Sequence, residues 1–391
     1  MAQNIYLDYN ATTPVHPEVL QQMLPWFSTD FGNAGSRTHA YGWKAAAAVK
    51  QAREAVTELI AGQNGKLIFC SGATEALNMA IKGLAASWQH KKRHLLCWAT
   101  EHRAVLDVFE HLGRQGFETQ ILPVLPSGLP DEQAYLKALR PDTLLVCGML
   151  ANNETGCIFP VQQLAEQAHA AGAFYLCDAS QAVGKIPVSV QQLGVDMLVL
   201  SAHKFYGPKG VGALWMAKKA GLKPQPLLHG GGHEDGLRSG TLPVPLIVGL
   251  GAAAQLAGEW MKTGIQAQSI IRNAFEAQLQ QALPEVYVQA AQADRLPNTS
   301  NLHLTHCPAA AIIKHVRHLA LATASACSSA KAAPSHVLLA MSLSKHEAEC
   351  CLRISLGRET TTRQLNAAAE ALISAVQTVR AASPAWLYRT S

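Results

Sequence analysis

The chain has 391 residues, of which 49% are hydrophobic and 15% charged, and its formal net charge is +5 at pH 7. This length predicts two domains, or one large and one small, because single hydrophobic cores stop growing beyond about 250–300 residues. The composition is that of a globular enzyme. So small a positive excess gives no support for direct nucleic-acid binding, although it would suit an anionic cofactor or substrate.

The N-terminus and the cysteines indicate a cellular compartment. Residues 1–14 lack the charged and apolar stretches of a signal peptide, and we expect no membrane contact because the apolar runs are short. The nine cysteines are odd in number and include no Cys-x-x-Cys pair. This predicts reduced thiols rather than disulfides or a structural zinc site, and therefore a cytoplasmic protein.

The predicted elements begin with an irregular segment over 1–15 and a long amphipathic helix over 41–60. Strand and helix patterns then alternate for about 200 residues, which predicts a mostly parallel sheet covered by helices on both faces. The predicted strands are 66–70, 94–99, 119–124, 143–149, 173–177, 197–200 and 212–216. The predicted helices between them are 74–84, 104–112, 131–139 and 161–170.

The pattern changes after the glycine-rich loop 229–240. A long helix is predicted over about 246–283, and the remainder mixes short strands with helices. We interpret this remainder as a second, smaller α+β domain. Its predicted elements are strands 300–304 and 352–355 and helices 309–317 and 361–379.

The first candidate motif follows the strand over 66–70. The sequence SGAT at 71–74 would open the next helix, with Ala73 and Thr74 in its first turn. Backbone N–H groups and the positive helix end there favour a phosphate. An ordinary capping turn has the same composition, and the spacing is not that of a Walker loop.

Three further strands are followed by candidate polar residues. His102 could stack on an aromatic cofactor or transfer protons near neutral pH, or serve only as a helix cap or surface residue. Asn153, in NNETG, would donate to a cofactor oxygen or form a turn. Asp178, with Gln181 three residues on, could cap a helix or keep a pyridine nitrogen protonated. We discount a metal because no second carboxylate is near Asp178 in the sequence.

The central stretch is LVLSAHKFYGPKGVG at 198–212, where a buried strand is followed by Ser201, His203 and Lys204. Open α/β sheets bind ligands at the carboxyl ends of their strands. Burial of a lysine disfavours the ammonium, and a neutral amine can form a Schiff base with an aldehyde. The alternative is a surface lysine in a glycine-rich loop.

Together these strand ends predict a site for pyridoxal 5′-phosphate, since they offer a phosphate cradle, a stacking ring, a partner for a pyridinium and an amine for an aldehyde. Two candidates lie outside the large domain. Cys327, in ASACSSA, is surrounded by small residues that suit either a mobile loop or a buried turn. Arg353, in RISLGR, could clamp a substrate carboxylate bidentately.

The motifs, in order, resemble those of the cysteine desulfurases, the NifS/IscS-like group of the class V aminotransferases. They read SGATEA, EHRAVLD, NNETG, DASQ, SAHKFYGPKG, GGGHEDGLRSGT, SACSSA and RISLGR. The resemblance extends from Tyr6 to about Trp386. It departs from the family pattern at Asp235, where arginine is frequent, and at Ala324, where the cysteine motif usually has glycine.

This resemblance implies the α/β fold of fold type I enzymes, with a mostly parallel seven-stranded sheet in a large domain over 16–258 and a small domain formed by 1–15 and 259–391. It also implies a homodimer. The implied cofactor contacts are Lys204 as the Schiff-base lysine, His102 as the stacking proton shuttle, Asp178 at the pyridine nitrogen, Gln181 at the phenolic oxygen, Thr74, Ser201 and His203 at the phosphate, Ala73, Asn153, and Thr241 from a partner subunit.

The implied activity converts L-cysteine to L-alanine. Asn153 and Arg353 would position the substrate, and Cys327 would take its sulfur as a persulfide for transfer to an acceptor protein in iron–sulfur assembly or thio-modification. Two alternatives stay open: a selenocysteine or cystine lyase of the same family, and a non-catalytic sulfur-carrier or scaffold protein. The sequence does not specify the acceptor.

Overall fold

The computed structural model describes residues 4–323 and 334–388. Cys327 and Ala324 lie outside these residues. The strands are β1 (Ile5–Tyr6), β2 (Gly65–Cys70), β3 (His94–Trp98), β4 (Glu118–Leu122), β5 (Thr143–Met149), β6 (Phe174–Asp178), β7 (Met197–Ser201), β8 (Gly212–Ala217), β9 (Val286–Val288), β10 (Thr299–Leu304), β11 (Leu319–Ala320), β12 (Ala322–Thr323) and β13 (Cys351–Ser355).

The helices alternate with the strands in the first half of the chain and dominate the second. They are α1 (Pro17–Met23), α2 (Pro25–Ser28), α3 (Ala40–Leu59), α4 (Ala73–Trp88), α5 (Arg103–Arg114), α6 (Glu132–Ala138), α7 (Val161–Ala170), α8 (Val190–Leu193), α9 (Val244–Ala282), α10 (Ala309–His315), α11 (His336–Ala340), α12 (Lys345–Glu349), α13 (Thr362–Ala381) and α14 (Pro384–Leu387).

The large sheet has seven strands in the order β2-β8-β7-β6-β5-β3-β4. Its strands pair in parallel except at β8, which is antiparallel to both β2 and β7. The link 202–211 between β7 and β8 is too short for the crossover that a parallel connection requires, so β8 runs in the opposite direction. The predicted α/β class with a mostly parallel seven-stranded sheet is confirmed.

Helices cover both faces of this sheet, as its continuous apolar strands require. In β5, Val146 packs into a core cluster with Val49 of α3 and Ala253 of α9. The neighbouring Leu145 and Cys147 point the other way, into a cluster that contains residues of α4 and α5. All seven residues of β5 are buried. The carboxyl ends of the central strands are thus held in a sheet with little freedom to move.

Helix α9 has 39 residues, with a window of mean hydropathy 1.3 that would suffice by length and composition to cross a membrane. The expectation that no apolar stretch of the chain approaches the length of a membrane span was therefore wrong for α9. Half of that window is buried inside the protein. Buried residues such as Ile247 and Leu250 belong to the main core cluster, which accounts for the apolar character.

The C-terminal part forms a four-stranded antiparallel sheet, β12-β13-β10-β9, with its own core cluster. Ile5 and Leu7 also belong to that cluster, and β1 pairs in parallel with β11. The expectation of an irregular segment over 1–15 was wrong for Ile5–Tyr6. The predicted domain boundary at 258 falls inside α9, and the division into domains stays a prediction.

Candidate active site

One cavity of about 570 Å³ lies at the carboxyl ends of the central strands and the N-terminus of α4. This volume is within the usual range for small-molecule sites. Ten of the predicted site residues line it: Ala73, Thr74, His102, Asn153, Asp178, Gln181, Ser201, His203, Lys204 and Arg353. Thr241 is exposed and does not line this cavity, and Cys327 is outside the described residues.

The N-terminus of α4 lines a recess of the cavity. Gly72 occupies the N-cap position, and no side chain caps the helix. A Cβ on Gly212 would come within 2.8 Å of the Cα of Gly72 and 2.6 Å of the carbonyl of Leu200, so only glycine allows this approach. The uncapped N–H groups and the helix dipole suit an anion.

An acidic residue adjoins this recess, but it is paired. The Glu75 carboxylate accepts a hydrogen bond from the Ser71 N–H at 2.7 Å, and Arg238 Nε donates to its other oxygen at 2.8 Å. The arginine, which comes from the glycine-rich loop, compensates the negative charge. The recess therefore keeps its preference for an anion.

His203 and Ser201 stand beside the recess at the end of β7. Burial, reinforced by the nearby Lys204, lowers the pKa of His203 to about 4. The ring is neutral at pH 7, and its Nδ1 lies 3.1 Å from Thr12 Oγ1. His203 consequently contributes a hydrogen-bonding ring rather than a charge.

Lys204 projects from the short helical turn that follows β7. Its Nζ donates to two main-chain carbonyl oxygens, those of Asn10 at 2.8 Å and Ala11 at 2.9 Å. Both belong to the N-terminal segment 1–15, for which no contact with the site was predicted. The amine is therefore held in place inside the cavity rather than exposed on a surface loop.

Asp178 and His102 line the cavity and also form hydrogen bonds with residues close to them in the chain. Asp178 Oδ1 accepts from Ser180 N–H at 2.9 Å and Ser180 Oγ at 2.5 Å, which fixes the carboxylate. His102 Nδ1 accepts from Ala104 N–H at 3.1 Å and so caps α5. Burial lowers the pKa of His102, although Asp178 opposes this shift. A neutral His102 ring must then carry its hydrogen on Nε2.

Arg353 lies on β13 at the other side of the cavity and is 1% exposed. Its guanidinium donates to Asp8 Oδ1 at 2.7 Å and to the Asn153 carbonyl at 3.1 Å, while its Nε is buried without a partner among the described residues. The arginine predicted to clamp a carboxylate thus already has an acidic partner, Asp8, which a ligand would have to displace or share.

Asn10 contacts both Asn153 and Lys204, but it was not predicted from the sequence as a site residue. It is 1% exposed, and its Nδ2 donates to the Asn153 carbonyl at 3.2 Å and Thr299 Oγ1 at 2.9 Å. Its N–H donates to Ser355 Oγ at 2.9 Å. A further missed residue, Lys185, contacts the Asn10 side chain. The only sequence signal for Asn10 was a run of turn-forming residues before Pro14.

Both ends of the segment that contains Cys327 adjoin the cavity. Ala322, in the last strand before it, pairs with Arg353. On its far side, Ser335 Oγ donates to the Glu154 carboxylate, next to Asn153. His336 Nε2 lies 3.0 Å from the carbonyl oxygen of Glu101, which precedes His102. The described residues on both sides of 324–333 therefore lie at the border of the site.

Comparisons with known proteins identify the family of the chain. The profile of the family described as "Aminotransferase class-V" matches residues 5–367. The chain belongs to this family. It is 39% identical to "Cysteine desulfurase IscS" of Rickettsia massiliae, over 98% of this chain and 93% of the relative. It is 43% identical to "Cysteine desulfurase IscS" of Anaeromyxobacter dehalogenans, over 97% and 94%.

Among solved structures, a "NIFS-LIKE PROTEIN" superimposes with a TM-score of 0.89 and 30% identity, covering 96% of this class V chain and 100% of the other. Fold and family are therefore shown by independent comparisons. The recognition of this family from its motifs is confirmed.

Class V aminotransferases and the IscS relatives depend on pyridoxal 5′-phosphate, which confirms the predicted cofactor. The residues of this chain fit it. The uncapped start of α4 suits its phosphate, and the amine of Lys204 lies in the same cavity for its aldehyde. Asp178, whose Oδ2 has no hydrogen-bond partner within residues 4–323 and 334–388, suits a protonated ring nitrogen.

Proposed function

We propose that this chain is a cysteine desulfurase that converts L-cysteine to L-alanine and transfers the sulfur through Cys327 to an acceptor protein. The observation that carries the proposal is the meeting, in one cavity, of an anchored lysine, an uncapped helix start, a buried aspartate and a buried arginine. Bound pyridoxal phosphate supplies an electron sink for the carbon atoms of the substrate.

The residues of the chain have distinct tasks in this proposal. Arg353 and Asn153, which both line the cavity, bind the carboxylate of L-cysteine. Asp178 keeps the ring nitrogen of the cofactor protonated. Lys204 takes the α-proton of the substrate, since its amine is held at the cavity by two carbonyl oxygens. His102, neutral because burial lowers its pKa, can accept or return a second proton.

The sulfur step is assigned to Cys327. Its thiolate attacks the sulfur of the substrate, so an S–S bond forms while the Cβ–S bond breaks. The electron pair of the broken bond stays with carbon, which takes up a proton to give L-alanine, and Cys327 retains a persulfide. The described residues that flank 324–333 support this assignment, since Ala322 pairs with Arg353 and Ser335 donates to Glu154, the neighbour of Asn153.

A homodimer forms part of the proposal. Several large apolar side chains between α1 and the start of α3 are exposed, which suits burial against a second copy. They are Leu24, Phe27, Phe31, Tyr41 and Trp43. Thr241, exposed and outside its own cavity, is proposed to reach the phosphate in the cavity of the other copy.

We also propose a cytoplasmic location, supported by the unpaired thiols of the eight cysteines among the described residues. The proposed partners are L-cysteine and a sulfur acceptor, which is either a scaffold for iron–sulfur assembly or a thio-modification enzyme. The names of the relatives favour a desulfurase over a selenocysteine or cystine lyase and over a non-catalytic scaffold.

The test is alanine and sulfide production from L-cysteine by the purified protein with a reductant. Lys204→Ala should be colourless and inactive, whereas Lys218→Ala, at an exposed lysine, should match the wild type. Cys327→Ser should bind the cofactor normally but form neither persulfide nor enzyme-dependent alanine. Cys350→Ala is the matched control, since that cysteine is buried away from the cavity.

Alanine production at the wild-type rate by Cys327→Ser would contradict the sulfur-transfer step and favour a lyase. A wild-type protein that takes up no pyridoxal phosphate would contradict the proposal altogether.

A further inference from the structure

Lys185 is buried next to the cavity without lining it. It is 6% exposed, and no carboxylate of the described residues lies within ion-pair distance of its Nζ. Burying an amine is costly unless its hydrogen bonds are satisfied. The bonds that Lys185 makes therefore indicate why a lysine occupies this position.

Its two bonds go to the carbonyl ends of two side-chain amides. Lys185 Nζ donates to Gln181 Oε1 at 2.6 Å and to Asn10 Oδ1 at 2.9 Å. Asn10 Oδ1 also accepts from Asn298 Nδ2 at 3.1 Å. Lys185 donates in both bonds, so each amide turns its oxygen toward Lys185 and its NH₂ group away.

The orientation of Gln181 has a consequence at the cavity. Its Nε2 donates to the main-chain carbonyl of Asn10 at 3.0 Å, and Lys204 Nζ donates to the same oxygen at 2.8 Å. The NH₂ group of Gln181 thus adjoins the amine of Lys204. It has a second hydrogen, and Gln181 lines the cavity, so this hydrogen is available to a group held by Lys204.

We propose that Lys185 is a positioning residue that keeps the amide of Gln181 in the donor orientation toward the ring oxygen of the cofactor. This inference rests on the proposed function and adds to it a residue that does not touch the cofactor. Without Lys185, only the bond from Nε2 to the Asn10 carbonyl orients the Gln181 amide, and the rotated amide, which presents its oxygen and repels an anionic ring oxygen, becomes more accessible. The network through Asn10 holds the anchor of Lys204 at the same time.

The experiment uses the loaded holoenzyme and its visible absorption. A donor at the ring oxygen stabilises the form of the chromophore that has lost its proton. Removing the donor should therefore raise the pH midpoint of the absorption band. We expect Lys185→Met to raise it by about one pH unit and to weaken uptake of pyridoxal phosphate by the apo protein about tenfold. Lys218→Met, at an exposed lysine, should change neither quantity.

A double-mutant cycle separates positioning from packing. Gln181→Met should raise the midpoint similarly, and Lys185→Met should add no further rise in the Gln181→Met background. Shifts that add, or a loss of thermal stability without a shift, would overturn the inference. If Lys185→Met does not fold, Lys185→Gln is measured instead, since a glutamine can donate or accept and no longer dictates the orientation of Gln181.

The two proposals fail in different ways. A wild-type protein that takes up no pyridoxal phosphate contradicts the proposed function. A wild-type protein that loads and titrates normally, together with a Lys185 variant whose midpoint is unchanged, contradicts only the role of Lys185.

Discussion

Glu154 follows Asn153, which lines the cavity, and contacts Ser335, which comes just after the segment 324–333. Its titration can be followed through the free energy of unfolding. Glu154 is 5% exposed, and its carboxylate accepts from Ser335 Oγ. Burial raises the pKa of Glu154 from 4.5 to about 7, with Ser335 and Arg353 opposing the shift. A difference of about 2.5 pH units corresponds to about 3 kcal/mol, at about 1.4 kcal/mol per unit.

The sign follows from proton binding. The folded state keeps the Glu154 proton up to about pH 7, whereas the unfolded state releases it near pH 4.5. Between these values the unfolded state binds fewer protons, so the free energy of unfolding falls as the pH rises. The contribution is fully present below pH 4.5 and is lost above about pH 7. Glu154→Gln, which cannot titrate, should not show this loss.

The assay compares urea unfolding of the two proteins at intervals from pH 4.5 to pH 8. Relative to Glu154→Gln, the wild type should lose about 3 kcal/mol over this range, most of it before pH 7. Glu370→Gln, at an exposed glutamate of α13, serves as the control and should follow the wild type. If the wild type and Glu154→Gln lose stability in parallel, Glu154 does not hold a proton in the folded state and the reasoning is wrong.

Three further outcomes are expected. Gly212→Ala should weaken binding of pyridoxal phosphate by the apo protein at least tenfold, because the added Cβ would lie 2.8 Å from Gly72 Cα. Absorbance titration measures this binding, and unchanged binding would mean that the recess can widen. Asp178→Asn should still take up the cofactor but lose at least about a hundredfold in alanine production, and a smaller loss would remove Asp178 from the ring nitrogen. If the wild type is the proposed dimer in light scattering, Phe31→Glu combined with Trp43→Glu should convert it to a monomer, and a persistent dimer would place the interface elsewhere.

The strand-end residues could be predicted from the sequence because of a general property of parallel sheets. His102, Asn153, Asp178 and Lys204 each follow a buried apolar strand, and parallel strands bring their carboxyl ends to one edge. The apolar runs were also long enough for the buried strands and helices to be located in the sequence. β5 and α7, for example, have the predicted bounds, and the other predicted elements differ by a few residues at their ends, whereas short elements such as α8 and α12 were not predicted.

Residues that act through long-range contacts could not be predicted. Asn10 contacts Ser355 and Thr299, which are hundreds of residues away in the chain, and nothing local marks it as buried. A lysine after a glycine in a turn, as at Lys185, is typical of a surface. Only the fold brings it against two amide oxygens. By contrast, α1 had a local signal that was not used, since Pro17 stands at its first position after the capping residue His16.

The irregular N-terminal segment connects the cofactor and substrate sides of the cavity. Asn10 and Ala11 hold the amine of Lys204 through their carbonyl oxygens, while Asp8 pairs with Arg353. These contacts join the end of a large-sheet strand to a strand of the smaller sheet. A bound carboxylate that displaces Arg353 would therefore alter the ion pair of Asp8 with Arg353. Asp8 is two residues before Asn10, whose carbonyl oxygen accepts from Lys204. The residues Asp8–Ala11 thus connect the buried arginine with the amine of Lys204 through one ion pair, a short stretch of main chain and two hydrogen bonds.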